Sequence, residues 1–590
     1  MDHVDVKRLF FEHFSSLKHK KLPDVPLIPP EHDTSSLFIN SGMQPLKPLF
    51  MGLQKPPASR LYNSQKCVRT GDIDDVGDNK HLTFFFMLGN WSIGDYGVTE
   101  AAQFAYDLLV KKYGMNKNKL WATVFKGDKK LGLGRDDNMF AAWQKIGIPR
   151  ERIFLADAEE VFWVSGKTGP CGPTSEMHYD FGASKGCGKK SCNPTCDCGR
   201  FMEIWNPCVQ ISYNRNAAGK LTSLKLKSID AGAGFERIVG VLQGTNDVFT
   251  TTIFKPLIQQ IEKLSSKNYT HNKKAMRIVA DHVRASTFIA GEGVTPARKD
   301  QGYVLRRIIR RMVRYSKQLG IDRSGIKQLV RFVIDDFKKE YPYLQRNSKQ
   351  IAGIIGNEYD NFNKTLEKGS RLLAQLMQTT KGKTLRGVDV FHLYDTYGFP
   401  MELTRELAAE KGFKIDENGY EREFAKHREV SKKGQSKKFV SGLADHSEMV
   451  IKYHTVNHML LSALQKVLGP KVTQKGSNLT AERLRFDFNW GEKMTPEQLK
   501  KSEDIVNKWI KQDVPVTMEE MSVADAKKAG AQGVFTHKYG AKVKVYTIKG
   551  ISKEICLGPH VNKTGVLGQF KIVKEKSSSA GVRRIKAVLE

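Results

Sequence analysis

The stretch Cys67–Tyr96, CVRTGDIDDVGDNKHLTFFFMLGNWSIGDY, constrains the fold more than any other part of the chain. It reads as a strand, a polar Gly/Asp loop and a second strand rich in Phe. Arg69 closes the first strand, and Phe84, Phe85 and Phe86 lie in the second. A guanidinium is a planar, permanently charged fork for phosphate, and an aromatic ring offers a face to a base. The pairing is therefore suited to holding a nucleotide. A plain hairpin over a buried Phe cluster fits the same residues, and this stretch alone leaves both readings open.

At 590 residues the chain exceeds one core, and roughly two to four domains are expected. The apolar fraction, 40%, is ordinary for a globular protein, and no apolar run is long enough to span a bilayer. The opening MDHVDVKRLFFEHF is charged and amphipathic, without the apolar core of a signal peptide, so action in the cytoplasm and no membrane partner are expected. The formal charge of +32 suits a polyanionic partner, because each neutralised phosphate releases counterions. General basicity of a proteome gives the same sum.

Eight cysteines are too few for a disulfide scaffold, but four cluster in CGKKSCNPTCDCG as Cys187, Cys192, Cys196 and Cys198. Thiolates on short Gly/Pro-rich loops can close a tetrahedron on zinc; reduced, unligated thiols are the alternative. From about 250 to 430 helical patterns dominate, and GYVLRRIIRRMVRYSKQLG puts Arg307, Arg311 and Arg314 at i, i+4, i+7, flanked by Arg306 and Arg310. Five guanidiniums on one helix repel unless they meet anions: a phosphate backbone, or acidic neighbours on a solvated face. REVSKKGQSKKFVSG reads as an exposed basic connector. Beyond it, His454 and His458 share a helical face, and ICLGPH supplies Cys556 and His560, a ligand set for a second zinc.

The tail MLGNWSIGDYG resembles the second signature motif of the class II aminoacyl-tRNA synthetases, in the wording of their alanyl branch, and the resemblance covers nearly the whole chain. The strand-like SLFINSGM holds the first motif at Leu37–Met43, and SIDAGAGFERIVGVLQG the third. The resemblance implies an α+β multidomain protein. Its parts are an antiparallel-sheet catalytic domain at 1–245 with the Cys-rich insertion at 187–198, a helical tRNA-recognition domain at 246–427, a basic linker at 428–445, and a zinc-binding α+β editing domain at 446–590. By the same resemblance Arg69 holds the α-phosphate of ATP, Arg237 clamps the γ-phosphate, Phe84 stacks on adenine and Met87 joins the ATP site. Trp163, Asn206, Cys208 and Gly232 enclose L-alanine, and Asp230 takes its α-ammonium. Arg69, Asp230 and Arg237 form the catalytic set. Alanine attacks ATP in line, with Mg²⁺ on the phosphates, and the 3′ end of tRNA(Ala) then takes the alanyl group.

Departures from the family carry their own expectations. Phe86 stands where Glu is usual, from which a raised KM for ATP is expected, and Cys208 stands where Val is usual. The arginines from 306 to 314 meet the acceptor stem, and Arg298 and Asp395 flank its G:U identity pair. Arg298 replaces an Asn and cannot accept a hydrogen bond, so relaxed discrimination at that pair is expected. Gln474 and Asp487 line an editing site that hydrolyses seryl- or glycyl-tRNA(Ala), since a methyl-sized pocket excludes serine and glycine poorly. Leu557, Pro559 and Asn457 crowd that site, so slower hydrolysis with zinc retained is expected. The family's β-rich segment before HTVNH and its coiled-coil tail are not found, which implies a monomer leaning on its charge for tRNA affinity. An RNA-binding paralogue without ligase activity and a trans-editing protein with a vestigial core remain alternatives.

Overall fold

The computed structural model of the protein describes residues 1–436, 447–531 and 542–590, apart from 31, 32, 34, 167, 557 and 580. The chain opens with the helix His3–Ser16, where the Asp2 carboxylate caps the Asp5 N–H and Val6, Phe10 and Phe14 form the buried stripe. Nine strands follow: β1 Lys20–Lys21, β2 Arg60–Val68, β3 Phe84–Ser92, β4 Leu120–Phe125, β5 Ile153–Ala156, β6 Phe162–Val164, β7 Gly169–Asp180, β8 Phe201–Arg215 and β9 Leu221–Gly234. They form one sheet in the order β1-β2-β3-β9-β8-β7-β4-β5, with β6 beside β7. The pairs β1–β2 and β4–β5 are parallel and the centre is antiparallel. SLFINSGM forms no strand. It runs beside β2 as a loop whose buried Ile39 offers its carbonyl to the Val68 N–H at 2.8 Å, because bends at Leu37, Phe38 and Ser41 break the extended run.

The sheet brings residues far apart in the chain into register. Trp91 stands opposite Asp230, and Gly89 opposite Gly232. The fully buried Trp91 ring lies over Gly89, where a Cβ would stand 2.4 Å from it, so only glycine fits there. Behind this sheet the helix Lys273–Gly291 is buried on nearly all sides, and buried polar side chains on it have partners: Arg284 pairs with Glu236 at 3.2 Å, and His282 Nδ1 lies 2.8 Å from the Asp281 carboxylate.

The chain divides into two compact units, Met1–Gln375 with Thr396–Thr404, and Leu376–Asp395 with Arg405–Glu590. In the second, the short strands β10 Thr384–Leu385 and β11 Lys414–Ile415 pair in parallel. The expected linker at 428–445 is helical up to 436, as the end of Glu417–Ser436, and the remainder lies outside the described residues. The further strands are β12 Gln474–Thr480, β13 Arg483–Asn489, β14 Val516–Ser522, β15 Lys542–Ile548, β16 Ser552–Ile555, β17 Phe570–Ser579 and β18 Val582–Leu589. They form the sheets β12-β13-β18-β17 and β14-β15-β16. Phe486, Phe488, Ile585 and Ala587 pack in one core with the helices Glu448–Leu468 and Pro496–Lys511, so alternation turns Arg485, Asp487, Arg584 and Lys586 to the other face. No described helix is long and apolar enough to cross a membrane.

Candidate active site and metal centres

Arg69, Asp230 and Arg237 line one cleft of about 820 Å³ at the centre of the first sheet. Arg69 leaves the end of β2, its Nε donating to the Asn40 carbonyl at 3.3 Å and its guanidinium 5.0 Å from the Phe85 ring centre. Arg237 sits in the first turn of the helix Phe235–Leu242 and donates to the Glu203 carboxylate at 2.8 Å. Burial works to raise the Glu203 pKa, but Arg237, His178 and Arg69 outweigh it and hold this carboxylate below its ordinary range. Asp230 has no ion pair among the described residues. It accepts the Trp91 Nε1–H at 2.7 Å, and burial pushes its pKa up to about 7. A buried carboxylate in that state is a prepared partner for an ammonium group.

Met87, Trp163, Asn206 and Gly232 also line this cleft. A Cβ at position 232 would stand 2.9 Å from the Met87 sulfur, so glycine keeps the floor open. Sequence reasoning missed Asp72, Lys80, Glu203 and Val209, which line it too. The acidic pair was findable: Asp72 lies in the hairpin loop and Glu203 three residues before Asn206.

Three expected positions are corrected. Phe84 does not reach the cleft; it is fully buried and stacks on Phe288, ring centres 4.3 Å apart. Strand alternation puts Phe85 and Met87 on the cleft side and Phe84 and Phe86 on the helix side. Phe86 lies against Phe337 and Tyr341, so the basis for a raised KM for ATP is absent. Cys208 is fully buried and Val209 faces the cleft in its place, because a bulge between Asn206 and Val209 shifts the alternation.

The arginine helix, Asp300–Leu319, is a second correction. Arg311 is buried and donates to the Ile73 and Val76 carbonyls at 2.8 and 3.0 Å; Arg307 pairs with Asp74 at 2.6 Å. Arg310 pairs with Glu358 at 2.7 Å, Arg306 stands 3.6 Å from the same carboxylate, and buried Arg314 meets the Tyr315 hydroxyl at 3.0 Å. These guanidiniums brace the loop between β2 and β3 and the neighbouring helices, and present no free row to phosphate. Arg298 is exposed in the loop before this helix in the first unit, and Asp395 is exposed on the helix Gly387–Tyr397 in the second.

Both predicted ligand sets assemble, with all donor atoms of each within 4.8 Å of one another. The Cys187–Cys196 and Cys192–Cys198 sulfurs are 3.8 and 3.6 Å apart, close to the spacing of about 3.8 Å that four 2.3 Å zinc–sulfur bonds impose on a tetrahedron. In the second unit His454 Nε2 lies 3.2 Å from the Cys556 sulfur. His454 Nδ1 donates to the Pro559 carbonyl at 3.1 Å and His560 Nδ1 meets the Thr455 hydroxyl at 3.2 Å, while the Nε2 atoms of His458 and His560 are buried without a partner. His560, with its outer nitrogen tied and its inner nitrogen free, has the arrangement of a metal-binding imidazole, and His454 has its outer nitrogen tied in the same way. Burial lowers the pKa of His454 to about 4 and of His458 to about 3, keeping both neutral and able to donate a lone pair. Pro559 contributes only a backbone carbonyl, and Leu557 lies outside the described residues. Asn457 donates to Gln474 at 3.1 Å, tying the Glu448–Leu468 helix to the start of β12. Asp487 does not join Gln474: it points from the opposite face and takes a bidentate pair from Arg584 at 2.6 and 2.8 Å, because the bulge between Gln474 and Gly476 reverses the alternation.

Residues 5–479 match the profile of the family described as "tRNA synthetases class II (A)", and residues 543–586 match "Threonyl and Alanyl tRNA synthetase second additional domain". The chain is 45% identical over 593 residues to a protein of Borrelia hermsii (strain HS1 / DAH) named "Alanine--tRNA ligase", covering 99% of each. It is 46% identical over 590 residues to one of that name from Treponema pallidum (strain Nichols), covering 98% of this chain and 96% of the relative. Against the Natranaerobius thermophilus protein of that name, identity is 36% over 705 residues, with 99% of this chain and 79% of the relative covered.

Proposed function

The chain belongs to the alanyl branch of the class II aminoacyl-tRNA synthetases, and we propose the role of each group in the ligation of alanine to tRNA. The observation that carries the reading is the shared cleft: Asp230, a buried carboxylate with no cationic partner among the described residues, lines it together with Arg69 and Arg237. Asp230 takes the α-ammonium of alanine, and Trp163, Asn206, Val209 and Gly232 surround its methyl group. That places the substrate carboxylate toward the α-phosphate of ATP, which Arg69 holds, while Arg237 exchanges Glu203 for the γ-phosphate. Phe85, in place of Phe84, offers its ring to adenine, with Met87 beside it. The chemistry needs positioning and charge neutralisation more than proton transfer. Asp72 and Glu203 supply carboxylate oxygens of the kind Mg²⁺ takes, and the bound ion neutralises phosphate charge.

Zinc is the metal that fits both tetrads. The four thiolates tie down the 187–198 loop, and the His/Cys set, with Gln474 beside it, is the centre at which misacylated seryl- or glycyl-tRNA(Ala) is hydrolysed. We assign catalysis to 1–245, acceptor-stem recognition to 246–427, a basic connection to 428–445 and editing to 446–590, in a cytoplasmic monomer. Charging of a tRNA(Ala) transcript with labelled alanine tests the ligation. Release of serine from seryl-tRNA(Ala), before and after chelation, tests the second centre. Alanine charging at no more than the background rate would overturn the first assignment, and hydrolysis indifferent to chelation the second.

A further inference from the structure

The outer face of the β12-β13-β18-β17 sheet carries two rows of cations that the reading above does not use. Across β13, β18 and β17, Arg485 stands opposite Lys586, and Lys586 opposite Lys574; in the next row Asp487 stands opposite Arg584, and Arg584 opposite Lys576. With Arg483 these six cations line a hollow of about 600 Å³. One carboxylate, Asp487, lies among them, and Arg584 already holds it through two hydrogen bonds. Like charges directly opposite on neighbouring strands repel. Lys574, Lys576 and Lys586 are exposed and have no ion pair among the described residues. Arg483 Nη1 and Arg485 Nε are buried donors with no hydrogen-bond partner, the Asp487 oxygen lying 3.8 Å from the latter. Such an arrangement persists when an anion completes it.

We propose that this face docks the phosphodiester backbone of the tRNA substrate, as an anchor outside the hydrolytic centre; the proposal rests on the tRNA reading above. The hollow is lined by cations alone, with no apolar side chain against which a peptide or an acyl chain would bury. Cations two residues apart on a strand stand about 6.6 Å apart and those on neighbouring strands about 4.8 Å, a grid on the scale of successive phosphates. The face turns away from the Glu448–Leu468 helix that carries His454 and His458, so it acts on binding and leaves the hydrolytic step alone.

The test uses the full chain with Lys574→Gln, Lys576→Gln and Lys586→Gln combined, and a matched triple Lys→Arg variant. Binding of a tRNA(Ala) transcript is followed by fluorescence anisotropy from about 50 to 300 mM NaCl. Loss of two or three phosphate contacts lowers the slope of log K against log salt by about 2 and weakens binding near 0.1 M salt at least about tenfold. The Arg variant keeps the parent slope. In the Gln variant the KM for seryl-tRNA(Ala) hydrolysis rises while kcat and alanine-dependent ATP–pyrophosphate exchange hold. A Gln variant with the parent slope overturns the proposal. So does one with intact RNA binding that loses adhesion to phosphatidylserine vesicles, which assigns the face to a lipid surface. If the parent chain neither exchanges pyrophosphate nor binds tRNA, the ligase reading fails first; if it does both and the Gln variant matches it, only this proposal fails.

Discussion

The helix Asp300–Leu319 carries five arginines between 306 and 314, and the outer face of the β12-β13-β18-β17 sheet carries six cations. By charge the two regions are alike. In the helix, Arg307 and Arg310 pair with Asp74 and Glu358, and Arg311 satisfies backbone carbonyls of the loop that leads from Arg69 to Phe85. On the sheet, three exposed lysines have no ion pair among the described residues; a buried guanidinium nitrogen without a hydrogen bond occurs in both regions, Arg307 Nε on the helix and Arg483 Nη1 and Arg485 Nε on the sheet, and does not distinguish them. Partner accounting, and not charge density, separates a basic region that holds the protein together from one that meets a polyanion. The helix arginines are expected to matter for stability and for the nucleotide loop, and the sheet cations for salt-dependent RNA affinity.

Arg311 offers the sharpest way to break this contrast. Arg311→Met strands the Ile73 and Val76 carbonyls; the expected cost is about 3–5 kcal/mol in denaturant unfolding, with the tRNA salt slope unchanged. A stable variant with a reduced slope would place this helix on the RNA after all. Arg298 is the next largest effect. It is exposed, unlike Arg311 and Arg314, and Arg298→Asn is expected to restore preference for G:U over G:C acceptor stems by roughly 1–3 kcal/mol, read as a ratio of charging efficiencies.

How far such residues were legible beforehand depends on the distance over which their partners lie. Arg69, Asp230 and Arg237 were readable because each sits in a short motif whose strand or turn fixes its direction. The misplaced ones failed for local reasons: Phe84 and Met87 lie three apart and cannot share a strand face, and Cys208 lost its place to Val209 through a bulge that no pattern announces. The arginines failed for a long-range reason, since Arg307 and Asp74 are 233 positions apart. The antiparallel centre of the first sheet, the helical stretch and both metal tetrads were legible; the parallel edges and the looped first motif were not.

A smaller effect concerns Asp230. Its folded pKa, about 7, lies above the unfolded value, so the ligand-free fold binds this proton more tightly and loses stability as pH rises from about 4 to 7. An ammonium ligand needs the ionised form. The KM for alanine is therefore expected to be about tenfold higher at pH 6 than at pH 8, a dependence absent for ATP. The smallest expected effect is that of Arg307→Gln. Its pair with Asp74 is half exposed on the acidic side, so stability changes by less than about 1 kcal/mol and the tRNA salt slope stays put. A large slope change here would erase the distinction between the two basic regions.

The central claim is that Asp230, Arg69 and Arg237 form one adenylating centre. Alanine-dependent ATP–pyrophosphate exchange, run on the parent chain and on Asp230→Ala, tests it most directly. The account expects robust exchange in the parent and a loss of at least about a hundredfold in kcat/KM for alanine in the variant, since the α-ammonium loses the carboxylate that pairs with it. Exchange of equal efficiency in both proteins, or none in the parent, would contradict it.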